Sequence, residues 1–196
     1  MQPKRAFYIN LDRRTDRRAE FEEETRKMGL EVERFEAISH AVGGIGCARS
    51  HLEVIRLAKA RGYPSVLVFE DDFMLVVSGK AFLEILDKVP DDYDVAMFGY
   101  NMRKTEPYNE TFGRILEAQT TSCFLVNSKY YDTLISNFSE GVALFEQSPH
   151  CHWLYIIDQY WKPLQPNGRW YYSLQRIGRQ RPGYSDLTNT FVEYDC

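Results

Sequence analysis

The spacing of apolar and polar residues sorts the chain into strands and helices. Residues 6–11 (AFYINL) alternate as a strand does, and Asp12-Arg13-Arg14-Thr15 breaks the run. A charged helix is expected from there to about Met28, closed by Gly29, and Leu30 to Phe35 reads as a second strand. Gly43, Gly44 and Gly46 read as a flexible loop leading into Cys47-Ala48-Arg49-Ser50-His51. A helix then runs to Ala60 with Ala48, Leu52, Ile55 and Ala58 on one stripe, and Gly62-Tyr63-Pro64 ends it. Val66 to Phe69 is continuously apolar, the mark of a strand covered on both faces. Phe82 to Val89 reads as an amphipathic helix, Asp94 to Tyr100 and Ser122 to Val126 as strands, and Ser128 to Asn137 as a helix. Strands alternating with helices predict an α/β sandwich built on a largely parallel sheet.

Sheets of this kind bind ligands beyond the carboxyl ends of their strands. Asn10 to Arg13, Glu70 to Asp72 and Gly99 to Asn101 are expected to emerge together at that edge. The most informative segment is VLVFEDD, residues 66–72, where a buried strand runs into three adjacent carboxylates. Like charges so close repel by roughly 1 to 4 kcal/mol per pair, which a divalent cation relieves. Hard oxygen ligands suit magnesium or manganese. In an extended segment Glu70 and Asp72 share a side and Asp71 points across, unless a turn begins there. A solvated turn is the plainer use of such acids.

Length and composition narrow the class. The 196 residues fit one domain, or at most a domain with a small lobe, with an ample core, the composition is that of a globular protein, and the net charge of −4 argues against nucleic acid. Basic residues cluster locally in RRTDRR and RIGRQR, a pattern suited to a small anion. Of Arg13, Arg14, Arg17 and Arg18, Arg13 lies nearest the strand end and is the one expected at a ligand; the others read as a solvated helix face. Arg176, Arg179 and Arg181, followed by a turn over Pro182 to Asp186, are placed equally well over a diphosphate or on a charged surface loop. Cys47, Cys123, Cys151 and Cys196 lie far apart without CxxC spacing and are read as reduced. No segment reads as a secretory signal or a membrane span, so a cytoplasmic location is expected.

Individual residues carry competing readings. Ser50 and His51 are expected to open a helix, where free amides attract phosphate, although Ser50 serves equally as a cap and His51 as packing. The glycine spacing matches neither a P-loop nor the dinucleotide fingerprint, which excludes ATP and NAD as expected ligands. Asp158 follows the apolar Tyr155 to Ile157, a setting that suits a general base or an ordinary helix surface. His150 and His152 lie in a loop-like context, and Trp153, Trp161 and Trp170 read as core ahead of sugar-stacking platforms.

Six pieces in order, FYINLDRRTDRR, GCARSHLEVI, VLVFEDD, DVAMFGYN, TSCFLVNSKYYDTL and IIDQYW, resemble glycosyltransferase family 25 over about Arg5 to Asp186. That family includes bacterial lipooligosaccharide and collagen hydroxylysine galactosyltransferases. The resemblance implies a GT-A-type, Rossmann-like sandwich in a single domain, with a nucleotide-sugar half over about 1–100 and an acceptor half over 101–196. It implies transfer of galactose or glucose from a UDP-sugar, with inversion, to a hydroxyl of a glycan or glycoprotein acceptor, with Mn2+ or Mg2+. By the same resemblance Asp72 ligates the metal, while Glu70 and Asp71 hold the ribose or metal-bound water. Asn10, Arg13, Ser50 and His51 line the nucleotide-sugar pocket, and Asp158 matches a late aspartate and is taken as the base. Ile55 departs from the pattern, standing near where relatives often carry an aromatic residue. The alternative is a catalytically silent nucleotide-sugar or glycan-binding domain; a hydrolase is disfavoured because no DxDxT motif is present.

Overall fold

The computed structural model describes residues 5–185 and 190–193; Asp186, in the expected turn, and Cys196 lie outside them. In chain order the elements are β1 (Arg5–Asn10), α1 (Thr15–Met28), β2 (Val32–Glu36), α2 (Gly43–Ala60), β3 (Ser65–Glu70), β4 (Phe73–Leu75) and α3 (Gly79–Asp87). They continue with β5 (Val95–Pro107), β6 (Phe112–Asn127), α4 (Tyr131–Gln147), α5 (His152–Tyr155), α6 (Ile157–Tyr160), β7 (Trp170–Ser173), β8 (Gly178–Gln180), β9 (Gly183–Ser185) and β10 (Thr190–Val192).

Six strands form the central sheet in the order β2-β1-β3-β6-β5-β7. β1 pairs in parallel with both β2 and β3, and β5 pairs in parallel with β7. β6 runs antiparallel to both β3 and β5, so it is the one reversed strand of a mostly parallel sheet. Val66 to Phe69 are fully buried because both faces of β3 are covered, as their unbroken apolarity predicts. On one face Phe7, Ile9, Val66 and Val68 pack with α2 and α4 residues including Ile55, Leu134 and Phe138. On the other, Tyr8, Leu67 and Phe69 pack with Phe21 of α1 and Phe82 and Ile85 of α3. Trp161 and Trp170 are core residues, their rings edge to face with centroids 5.0 Å apart.

Several boundaries differ from expectation. α1 ends at Gly29, which takes the left-handed conformation (φ 66°), as expected. α2, by contrast, begins at Gly43, so the three glycines read as a loop form its first turn. The cause is tertiary: a Cβ on Gly46 would lie 2.5 Å from the Ile38 carbonyl oxygen, so only glycine lets that turn approach the chain so closely. Ser50 and His51 consequently lie well inside α2 and do not open it. β5 and β6 extend far past the expected strands into a long hairpin, because their cross-strand pairing continues to Pro107 and Gly113.

Candidate functional site

β1, β3 and β5 point their carboxyl ends the same way, and a cavity of about 890 Å³ opens there. Its lining includes Asn101 from β5, Arg13 and Arg17, the first turn of α2, Glu70 to Asp72, Thr120 and Thr121 from β6, and Asp158 and Gln180. Residues scattered from one end of the chain to the other thus meet because the sheet ends there.

Asp71 and Asp72 follow β3 in a turn, and this gathers carboxylates that an extended segment would separate. Arg17 Nη1 donates to Asp71 Oδ1 at 2.9 Å and to Asp72 Oδ2 at 3.0 Å. Its Nη2 donates to the Tyr184 carbonyl at 3.0 Å. The expected solvated face of α1 is therefore corrected at this position: one turn of helix carries Arg17 onto the acids. Arg13 stands at the cavity wall, with Nη1 3.5 Å from Ser39 Oγ. Asn10 is buried, donating through Nδ2 to Asp71 Oδ2 at 2.7 Å and to the Arg14 carbonyl, and accepting from Arg34.

Glu70 turns to a different set. Its Oε1 accepts from Thr121 Oγ1 at 2.6 Å and lies 3.1 Å from His51 Nε2. Burial pushes its carboxyl upward, but the histidine and threonine contacts outweigh this and hold it below the usual range. Burial raises Asp71, opposed by Arg17 and Asn10. Asp72 is pushed up to about 7, first by burial and then by the neighbouring Glu70 charge. Ser50 is buried with its hydroxyl engaged, accepting from the Ile38 amide and donating to the Gly46 carbonyl. The amino-terminal end of α2 is therefore at Gly43, and Gly43, Gly44 and Gly46 line the cavity, whereas the expectation put that end at Ser50 and His51.

Two places suit a cation. Asp72 Oδ1 is buried with no hydrogen-bond partner, a hard oxygen of the kind magnesium or manganese takes, and Glu70, Asp71 and Asp158 line the same cavity without gathering their oxygens into one cluster with it. Cys47, His51 and Glu70 also bring ligand atoms within 4.8 Å of one another. Here His51 Nδ1 is buried without an acceptor, whereas ligating histidines are held from behind by one, so the Asp72 place is the better fit. Burial, aided by Glu70 and Asp158, also holds the Cys47 thiol well above its ordinary value.

Asp158 lies in the first turn of α6 and accepts from the Thr120 amide at 3.1 Å. Burial raises its carboxyl, the Thr120 bond opposes this, and the Glu70 charge adds to it. His152 lines the cavity, whereas His150 is exposed and Trp153 is 57% exposed. Of the late basic segment, Gln180 reaches the cavity; Arg176 lies over the Tyr100 ring and Arg181 pairs with Glu20 and Glu24. Arg17, Thr120, Thr121 and Gln180 are among the site residues that sequence reasoning did not select. Arg17 lies in the first turn of α1, one helical turn from the loop that carries Arg13, and that nearness to the strand end was its sequence signal.

The described cysteines Cys47, Cys123 and Cys151 are free, and no helix among the described residues is long and apolar enough to cross a membrane. No protein-family model and no curated protein sequence matches this chain. Solved structures do. A glycosyltransferase involved in the glycosylation of the major capsid of PBCV-1 aligns with a TM-score of 0.54 at 12% identity, over 85% of this chain and 79% of that one. A197 from STIV aligns with a TM-score of 0.53 at 12% identity, over 96% of this chain and 93% of that one. The chain therefore shares the α/β sandwich fold of these two proteins, and its polar cavity opens at the strand ends of that fold.

Proposed function

We propose that this chain is a cation-dependent glycosyltransferase moving galactose or glucose from a UDP-sugar to a hydroxyl of a glycan or protein, with inversion. The observation that carries the reading is the buried, unsatisfied Asp72 Oδ1 among four cavity carboxylates, Glu70, Asp71, Asp72 and Asp158. The volume of about 890 Å³ is in the range of small-molecule and cofactor sites. The fold shared with the PBCV-1 glycosyltransferase and the ordered motifs resembling family 25 support the same reading.

Asp72 would hold the cation through Oδ1, and Asp71, fixed by Asn10 and Arg17, would face the ribose or a cation-bound water. A bound divalent cation supplies positive charge to the leaving diphosphate. The amides at the start of α2 and the guanidinium of Arg13 add fixed positive charge where negative charge develops. Asp158 takes the proton of the acceptor hydroxyl as its oxygen attacks the anomeric carbon. The bond from that carbon to the diphosphate breaks with its electrons leaving on oxygen, which inverts the centre. Desolvation suits Asp158 to this task by making its carboxylate more basic. The donor then falls to residues up to about 100 and the acceptor to the remainder.

The test is a thermal-shift screen of nucleotide sugars with and without Mn2+, run on the native chain and on Asp72→Ala. A Mn2+-dependent shift with one UDP-sugar, absent in the variant, is expected; a ligand at 100 times its Kd adds about 2.7 kcal/mol. No shift with any donor, or an undiminished shift in Asp72→Ala, would overturn the assignment. Donor binding without transfer to any acceptor would favour a silent binding domain.

A further inference from the structure

β6 is irregular where it passes the cavity. Gly99 of β5 faces Cys123 and Asn101 faces Gln119, so Thr120, Thr121 and Ser122 stand opposite Tyr100 alone. Within this bulge Thr120 adopts φ 85°, and it is the one non-glycine residue with positive φ among those described. Such a conformation is costly for a β-branched side chain and persists only when its surroundings impose it. Gly99 shows what imposes it: a Cβ there would meet Ser122 Oγ at 2.1 Å, so the bulge presses against β5 where side-chain volume is missing.

The two residues at the bend each hold a carboxylate. The Thr120 amide donates to Asp158 Oδ2 at 3.1 Å, and the Thr121 hydroxyl donates to Glu70 Oε1 at 2.6 Å. A regular strand would alternate its amides and side chains and could not turn both donors into one cavity. We propose that the β6 bulge is a positioning device in which strained Thr120 fixes Asp158 and its neighbour Thr121 fixes Glu70, setting the two carboxylates in register with each other. Thr120 and Thr121 are thus positioning residues; the proposal rests on the glycosyltransferase reading only in taking Asp158 as the base.

The groups acting on Asp158 are Glu70 from β3, Cys47 from α2, Gln159 beside it, and Lys162 just after α6. None of them is altered by a glycine at position 120, so Thr120→Gly tests the bulge without changing the charges around Asp158. Glycine takes positive φ without penalty, so Thr120→Gly should raise the melting temperature while loosening the amide. The expected result is a kcat about tenfold lower with donor Kd within twofold of the native value. The carboxyl 13C resonance of Asp158 should also titrate at higher pH, because the bond that favours its ionised form weakens. Thr121→Val keeps the shape and removes the hydroxyl, and should weaken donor binding about tenfold. A lower melting temperature in Thr120→Gly, or an Asp158 titration identical to the native one, would overturn the proposal. Asp158→Asn separates the two ideas: if it retains native turnover the base assignment fails, while the Asp158 titration in Thr120→Gly still decides whether the bulge positions that group.

Discussion

Arg17 is the guanidinium through which Asp71 and Asp72 are tied to the chain near Tyr184, so Arg17→Met is the most informative perturbation of the cavity floor. Methionine keeps helix propensity and apolar bulk but abandons contacts at 2.9, 3.0 and 3.0 Å. The side chains involved are 15%, 10% and 14% exposed, so the ion pairs are largely shielded from water. Removing one partner of a buried pair costs about 3 to 5 kcal/mol because the opposing charge is left uncompensated. Residual solvent access at these exposures places the expected loss at the lower end, about 3 kcal/mol. That is a decrease of about 6 to 12 °C in Tm for a chain of this size, which leaves the protein folded. Urea unfolding of Arg17→Met, Asp72→Asn and the double variant at pH 8 and above, where Asp72 with its value of about 7 is ionised, forms a cycle that isolates the pair. Because Asp72→Asn removes one of the uncompensated charges, the two changes should couple by at least about 1 kcal/mol. A loss below about 1 kcal/mol in Arg17→Met, or strict additivity in the cycle, would refute the claim that Arg17 neutralises these acids.

Asp158→Asn should lower kcat by about 100-fold or more with donor affinity little changed, measured by single-turnover transfer and by donor titration. Because burial holds the Asp158 pKa above its unfolded value, the native state binds this proton more tightly than the unfolded chain does. kcat/KM should therefore fall as pH drops through a value above the ordinary carboxylate range, and any residual activity of Asp158→Asn should lose the Asp158 part of that limb and keep the part set by Asp72. The same sign makes ionised Asp158 a cost to folding at neutral pH, so Asp158→Asn should be at least as stable as the native protein at pH 8. Gly46→Ala should destabilise by about 1 to 3 kcal/mol through the clash with the Ile38 carbonyl, read by urea unfolding, and an unchanged midpoint would contradict that contact.

The parts of the site that could be read from sequence are those carried by local pattern. Continuous apolarity identified β3 as buried on both faces, and the acids that follow it had to emerge at the sheet edge. Asp158 was legible for the same reason, as a carboxylate set directly after apolar residues. What escaped depends on partners distant in sequence. Arg17 looks like its neighbours in RRTDRR, and only the rotation of α1 against β3 brings it, together with Asp71 and Asp72, into one network. Gly43 to Gly46 carry the composition of a loop, yet close packing against Ile38, Phe145 and Ile156 makes helix the better state. The β6 bulge has no local signature, since positive φ falls on Thr120 where sequence rules look for glycine or asparagine.

The reversed strand β6 also governs how the protein must be made. Until residues through Asn127 have left the ribosome, β3 can pair only with β1, and its other edge offers unsatisfied amides and carbonyls along VLVF. A nascent chain at that stage holds its three parallel strands with an apolar edge exposed, which is a template for another chain. The arrival of β6 caps the edge and, in the same movement, delivers Thr120 and Thr121 to the cavity. Closing the sheet and furnishing the cavity with the donors that later receive Asp158 are therefore a single event in the life of each molecule.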